Sequence, residues 1–134
     1  MESVEAALAR AGFPAEVVST SELVGGGASR SSIARAARAG LLRRLATGLY
    51  GPPTDESTEL ALAARFGTLS HTTAASLLGL DLMAPPGLHV ISRHRRRTPP
   101  AGLRVHRGAV RADEITYVSG RPTTAVLRTV VDCA

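Results

Sequence analysis

The stretch Thr20–Tyr50 constrains the fold most, because its serines and glycines divide it into two short helices and a hairpin. Its first residue, Thr20, can cap a helix that the three glycines at 25–27 end. Ser29 can cap a second helix over Arg30–Ala39, and Gly40 follows where a left-handed glycine commonly ends a helix. The pattern therefore predicts a helix, a tight turn and a second helix.

Two short apolar runs after the second helix predict a β-hairpin. They cover Leu41–Leu45 and Leu49–Gly51, and the three-residue loop Ala46-Thr47-Gly48 has glycine where such loops often need a positive φ. A periodic helix over Val4–Ala11 precedes this arrangement. Helices followed by a hairpin in this order predict a winged helix-turn-helix over residues 1–52, ended by two prolines that cannot continue a strand.

The second predicted helix has a small apolar side and an arginine side. At 100° per residue Ile33, Ala36 and Ala37 fall on the inward side. A major groove admits one helix, and a hairpin beside it can contact phosphates. The pattern therefore predicts DNA contacts at Ser31, Arg35 and Arg38 on the outward side and at Arg43 and Arg44 on the hairpin. Arg30, at the start of the helix, is a further candidate. Two other interpretations stay open: a solvated helix face, and a winged helix that binds a protein.

The basic residues are clustered in two segments that contain no acid. Residues 30–50 hold five arginines and residues 88–111 hold seven, within a chain of formal net charge +5. Such clustering indicates a polyanionic partner. The chain has no Lys, Asn or Gln, so direct base readout would depend on Arg with guanine and on Ser, Thr or apolar contacts. Arg95, Arg96 and Arg97 form a basic loop that is either solvated or a second phosphate anchor.

The pattern of residues 53–134 predicts a second domain, in which a helix pair is followed by a small, mostly antiparallel sheet. The predicted class of the whole fold is therefore α+β. A first helix is capped by Thr54 or Asp55 and ends at Gly67, and a second begins at Ser70 and ends at Gly79. Period-two runs and turn residues then predict strands at Leu88–Ile91, Leu103–His106 and Ile115–Val118, a short edge strand at 121–123, and a helix capped by Thr124. A chain that stops inside an apolar helix is typical of a piece of a longer protein.

The segment Ser19–Tyr50, which contains SELVGGGASRSSIARAARAGLLRRLATGLY, resembles the N-terminal winged helix of AbiEi-family antitoxins of type IV toxin–antitoxin systems. The segments LSHTTAASLLGL, LHVISR, LRVHR and GRPTTAVLRTVVD are similar to the region that follows it in that family and its actinobacterial relatives.

The resemblance implies a DNA-binding antitoxin that represses its own operon, while more C-terminal parts oppose a nucleotidyltransferase-type toxin. It also implies that the DNA contacts lie at Ser31, Arg35, Arg38, Arg43 and Arg44. Many relatives continue into a further domain, sometimes with a restriction-endonuclease-like fold, which this sequence does not contain.

The sequence favours no catalytic, cofactor or metal site. The four histidines have no H-x-x-x-H or H-E-x-x-H spacing, although His89 and His106 on neighbouring strands could meet, and His71 is expected to bond or pack locally. Adjacent Ser70 and His71 should project in different directions, which argues against a triad. The acids show no nuclease pattern, and Cys133 is expected to be a small core residue.

These observations favour a transcriptional regulator or antitoxin that binds double-stranded DNA, without catalysis. An interaction module that grips a toxin or a further domain is the alternative, and the N-terminal part of a nuclease-like protein is another. The chain has no long apolar run and no signal-peptide pattern, so we expect a cytoplasmic protein without a membrane partner.

Overall fold

The computed structural model describes residues 4–10, 17–52, 58–94 and 98–134 and divides the chain into two units, Met1–Leu62 and Ala63–Ala134. Within the described residues the fold is mixed α+β, with six α-helices and two sheets. The α+β class predicted from the sequence is therefore confirmed.

The first unit contains three helices and a three-stranded sheet among its described residues. Its elements are α1 (Val4–Arg10), β1 (Val18–Ser19), α2 (Thr20–Gly25), α3 (Arg30–Arg38), β2 (Arg43–Ala46) and β3 (Leu49–Gly51). The sheet order is β1-β3-β2, and both pairings are antiparallel. Two-residue β1 is too short to produce a periodic pattern, and the sequence did not predict it.

Small aliphatic side chains from all three helices form the core of this unit. The buried cluster consists of Ala7, Leu8, Val18, Leu23, Ala28, Ile33, Ala36 and Leu42, with Ala37 and Tyr50 packed against it. The inward side predicted for the second helix is thus confirmed. Burial of these side chains stabilises the unit, since apolar burial contributes about 25 cal/mol per Å².

Serine caps fix where the two helices begin. The cap of α2 is Ser19 and not Thr20, because Ser19 Oγ accepts from the Glu22 amide at 3.1 Å while the Thr20 amide donates to Gly48 O at 2.9 Å. The predicted Ser29 cap is confirmed: Ser29 and Ser32 form a reciprocal capping box at the start of α3. The chain leaves α3 through Gly40 at φ +79°, as predicted.

The predicted hairpin is present, but its loop has two residues and not three. Ala46 pairs with Leu49, which leaves Thr47 and Gly48 at the turn, with Gly48 at φ +71°. An irregularity in the pairing between Arg44 and Ala46 absorbs the extra residue.

All of the remaining elements lie in the second unit, except that α4 begins in the first unit and ends in the second. These are α4 (Thr58–Ala64), β4 (Thr68–Leu69), α5 (His71–Leu77), β5 (Leu88–Ser92), β6 (Leu103–Arg107), a 3-10 turn (Ala112–Glu114), β7 (Ile115–Val118), β8 (Arg121–Thr124) and α6 (Val126–Cys133). The helix pair predicted before the sheet corresponds to α4 and α5. The caps predicted for the first of them, Thr54 and Asp55, lie outside the described residues.

The five-stranded sheet is mixed, so the prediction of a mostly antiparallel sheet is wrong. Its order is β6-β5-β4-β8-β7, and the β5–β6 and β4–β8 pairings are parallel. Ten residues, 93–102, separate β5 from β6, which is slightly fewer than the roughly dozen that a connection between parallel strands usually needs.

The strand predicted at the edge is an inner strand, because β8 lies between β4 and β7. Pro122 is tolerated there because β4 pairs with β8 only at Leu69 and Thr123. The following helix is capped at Ala125 and not at Thr124, whose hydroxyl instead lies 2.7 Å from that of Thr129. Thr129 Oγ1 also donates to Thr124 O and Ala125 O, so a buried hydroxyl pair joins α6 to β8.

Candidate nucleic-acid interface and histidine cluster

The predicted recognition helix α3 has one buried and one exposed face. Ile33 is 2% and Ala36 is 7% exposed. The exposed face carries the side chains that the sequence singled out, Arg30, Ser31, Arg35 and Arg38. The same spacing that buries the aliphatic residues therefore turns the polar ones to solvent.

Arg43 and Arg44 are also exposed, and both lie in β2, in the same unit as α3. The connection between the two elements is short and anchored. The Leu41 amide donates to Ala36 O at 3.0 Å, and Leu42 is 3% exposed in the core. We call the exposed side chains of Arg30, Ser31, Arg35, Arg38, Arg43 and Arg44 the basic surface.

The arginines of the basic surface are not neutralised within the part of the chain that the structure describes. None of their guanidinium groups makes a salt bridge or side-chain hydrogen bond with another described residue. Ser31 Oγ lies 3.1 Å from Ser29 Oγ, next to the cap of α3. The surface thus presents five cations that no described residue pairs, and such cations attract an anion at modest desolvation cost.

The three arginines of the second basic segment, Arg95, Arg96 and Arg97, lie outside the described residues. Their role as a second phosphate anchor stays a prediction. Neighbouring Arg93 and Arg107 are exposed and belong to the second unit.

Three histidines of the second unit lie together and form a second candidate site. His71 begins α5, His89 lies in β5 and His106 lies in β6. Their candidate ligand nitrogens all lie within 4.8 Å of one another. We call His71, His89 and His106 the histidine cluster.

The rings of the histidine cluster are stacked. His89 Nδ1 lies 2.9 Å from His106 Nε2, so one of these nitrogens donates to the other. The ring centroids of His71 and His106 are 3.8 Å apart, with 16° between their planes. His89 is the more distant ring, at 5.2 Å from His106 and 5.5 Å from His71.

The strand register explains why two of these rings meet. In the parallel β5–β6 pair, Ile91 lies opposite His106, and His89 lies two residues before Ile91 on the same face of the sheet. The predicted contact between His89 and His106 is confirmed, as a diagonal pair. The residue directly opposite His89 in the register is Arg104.

The start of α5 places the third ring. His71 has φ +53°, an uncommon conformation for a residue other than glycine, and its Nδ1 lies 2.8 Å from Ser70 Oγ. The local hydrogen bond predicted for His71 is therefore confirmed. The prediction that the side chains of Ser70 and His71 project in different directions is wrong, because the left-handed backbone of His71 turns its imidazole back towards the serine hydroxyl.

Burial lowers the pKa of His71 and His89 from the usual value for histidine. For both rings desolvation is the largest cause, and the charge of His106 acts in the same direction. Asp132 opposes the shift of the His71 pKa. The lowered pKa values favour neutral rings, each with a lone pair on one nitrogen.

The sequence did not predict the three-residue cluster, because no two of its members have a ligand spacing along the chain. The sequence did contain a signal for two of them, because His89 and His106 lie on neighbouring predicted strands where their side chains could meet. The parallel register and the backbone of His71 add the third ring, and neither can be read from spacing. Cys133 is exposed, so its predicted core position is wrong.

Compared with models of known protein families and with curated proteins, the chain matches none of them. Across the described ranges, no helix has both the length and the apolar character needed to cross a membrane.

Proposed function

We propose that this chain is a DNA-binding transcriptional regulator in which α3 enters the major groove and the β2–β3 hairpin contacts the phosphate backbone. The observation that carries the proposal is the exposed arginine face of α3, opposite a buried aliphatic face and without a salt bridge to any residue that the structure describes. The element order α1, β1, α2, α3, β2, β3 and the sheet order β1-β3-β2 support a winged helix-turn-helix as the scaffold.

The chemistry of the basic surface assigns different roles to its two parts. Arg35 and Arg38 lie on a helix narrow enough for the major groove, where a guanidinium can donate two hydrogen bonds to guanine O6 and N7. Ser31 can donate to or accept from a base edge near the start of the helix. Arg43 and Arg44 on the hairpin supply phosphate contacts, which strengthen binding without reading sequence.

The biological setting rests on the family resemblance. By that resemblance the regulator is an antitoxin that represses its own toxin–antitoxin operon in the cytoplasm, and its partner is a nucleotidyltransferase-type toxin. The chain itself carries out no catalysis in this proposal.

A gel-shift titration with the DNA upstream of the chain's own gene tests the assignment. Arg35→Ala should weaken binding by about 1–3 kcal/mol if its guanidinium reads a base. The control is Arg65→Ala, which removes an exposed arginine that lies just after α4 and outside both basic segments. Equal affinity of wild type and Arg35→Ala, or equal losses in both variants, would contradict the assignment.

A second candidate function is an interaction module, and the outer side of α6 favours it. Leu127 is 83%, Val131 is 69% and Val130 is 53% exposed, which is unusual for large aliphatic side chains adjacent on one helix. In this alternative the second unit binds a toxin or a further domain of a longer polypeptide. Co-purification with the product of the adjacent gene that Leu127→Asp abolishes would support it.

A further inference from the structure

We propose that His71, His89 and His106 form a binding site for a divalent first-row transition metal ion, with Zn²⁺ as the simplest probe. The site lies in the second unit and is independent of the basic surface. Imidazole nitrogen is the donor that zinc, copper, nickel and iron share, whereas magnesium and calcium prefer oxygen. Three neutral nitrogens leave a fourth position for water, which is the composition of an open zinc site.

The distances between the nitrogens suit one shared ion. A tetrahedral zinc binds imidazole nitrogen at about 2.0–2.1 Å, which places two such nitrogens about 3.4 Å apart. The nitrogens of the cluster span from 2.9 Å, between His89 Nδ1 and His106 Nε2, to no more than 4.8 Å. Shifts of about 1 Å, within reach of side-chain rotation, would therefore bring all three to one ion.

The rings must turn as the ion enters. Stacked rings, with 16° between the planes of His71 and His106, direct their lone pairs side by side and not at one point. Rotation of His71 and His106 about their side-chain torsions would let these lone pairs converge. The hydrogen bond between His89 Nδ1 and His106 Nε2 would be replaced by two bonds to the metal. The proton of that hydrogen bond, whichever ring carries it, would move to the other nitrogen of the same ring, so that both bonded nitrogens offer a lone pair.

Ser70 supplies an outer hydrogen bond that selects the ligand atom of His71. Its side chain is fully buried, and its Oγ lies 2.8 Å from His71 Nδ1. If Nδ1 donates to that hydroxyl, Nε2 is left as the lone-pair atom. Metal-bound histidines in proteins almost always have such a partner on the other nitrogen.

Backbone contacts hold the three ligands on connected elements before any ion arrives. The Ser70 amide donates to His89 O at 3.0 Å. Thr73 Oγ1 accepts from the His89 amide at 2.8 Å and donates to Gly87 O at 2.6 Å. Because Ser70 and Thr73, on either side of His71, are both bonded to His89, an ion would need to reorganise side chains and not the fold.

The cluster also contains a residue with a strained backbone conformation. His71 adopts φ +53° directly after its N-cap, a conformation that costs energy for a residue with a Cβ. This conformation turns the imidazole towards Ser70 and over His106. Strain at one ligand is expected where a site positions its side chains.

Titration of tag-free, chelator-treated full chain with Zn²⁺ by calorimetry tests the proposal. We expect one Zn²⁺ per chain and a rise in Tm of several degrees at saturating metal, because the ion binds the folded state. Each of His89→Ala and His106→Ala should weaken binding by more than about tenfold. The matched control is His94→Ala, which removes the exposed fourth histidine.

Co²⁺ provides a second readout that reports coordination and not only affinity. The wild type and His94→Ala should give the visible absorption of tetrahedral Co²⁺, and His106→Gln should lose it while retaining the wild-type circular dichroism. If an alanine variant unfolds, this milder substitution still decides the outcome. Absence of saturable binding by the wild type, or binding that survives in His106→Gln, would overturn the proposal.

Discussion

The guanidinium groups of Arg35 and Arg38 and the aliphatic side chain of Ile33 occupy opposite faces of one nine-residue helix. Their energetic roles are therefore separable. Exposed side chains contribute little to folding, whereas a buried isoleucine contributes through transfer and packing. This separation allows a variant to test DNA contact without altering the fold.

Ile33→Ala should lower the free energy of unfolding by about 2–4 kcal/mol, because it leaves a cavity among buried residues of the first unit. Arg35→Ala, on the opposite face, should change it by less than about 0.5 kcal/mol. Urea unfolding followed by circular dichroism measures both. A loss of stability in Arg35→Ala as large as that in Ile33→Ala would contradict the assignment of the two faces.

Glycine is required at position 67 because the backbone of Ile91 lies too close for a Cβ, and not because of a positive φ. A Cβ at this position would overlap the carbonyl oxygen of Ile91 and lie 2.9 Å from its carbonyl carbon. Gly67→Ala should therefore cost about 1–3 kcal/mol of stability. The control Gly25→Ala, where a Cβ meets nothing within 4 Å at the end of α2, should be neutral or stabilising. Urea unfolding followed by circular dichroism measures both variants.

At the scale of elements, α6 is held to the rest of the second unit by Arg128. Its Nε lies 3.0 Å from Asp132 Oδ1, and its Nη1 lies 3.2 Å from Glu114 Oε1 and 3.1 Å from Ala109 O. The Glu114 carboxylate also accepts from the Arg111 amide at 3.0 Å. The backbone hydrogen bond from Arg111 and the charge of Arg128 lower the pKa of Glu114.

This network predicts an acid-sensitive contribution to stability. A carboxyl whose pKa is lowered in the folded state stabilises the fold above the unfolded value and loses that contribution as pH falls through the folded value. Stability should therefore decrease as pH falls below about 4.5, the ordinary pKa of glutamate. Glu114→Gln should flatten this part of a pH series of urea midpoints. An unchanged acid slope in Glu114→Gln would show that other carboxyls carry it.

The elements that the sequence predicted well are those set by local signals. The α3 helix is marked by its own cap, its glycine stop and its periodicity, and each of these acts within a few residues of chain. The sheet of the second unit depends on pairing between distant segments. Two-residue β4 lies between β5 and β8, and no nearby residue specifies that placement.

Of the two candidate sites, one depends on local signals and the other on pairing between distant segments. Exposure of Ser31, Arg35 and Arg38 followed from periodicity, since the residues that must be buried in α3 determine those that cannot be. The histidine cluster did not follow, because it depends on a parallel register and on the left-handed backbone of His71. Long-range pairing and unusual φ values are properties of the folded chain, and sequence spacing carries little information about them.

For the molecule as a whole, charge distribution and the two units suggest a division of roles. The first unit carries the basic surface proposed to bind DNA, and the second carries the histidine cluster and the apolar side of α6. Because arginine is the only strong cation of the chain, binding to DNA should be strongly dependent on salt.

The most direct test of the central claim is an anisotropy titration on two duplexes, the upstream operator DNA and a scrambled sequence, over a range of salt concentrations. Arg43→Ala/Arg44→Ala should weaken both duplexes alike and reduce the slope of log K against log salt by about 2. Arg35→Ala/Arg38→Ala should instead remove most of the preference for the operator. Retention of that preference by Arg35→Ala/Arg38→Ala would contradict the proposal that α3 reads DNA.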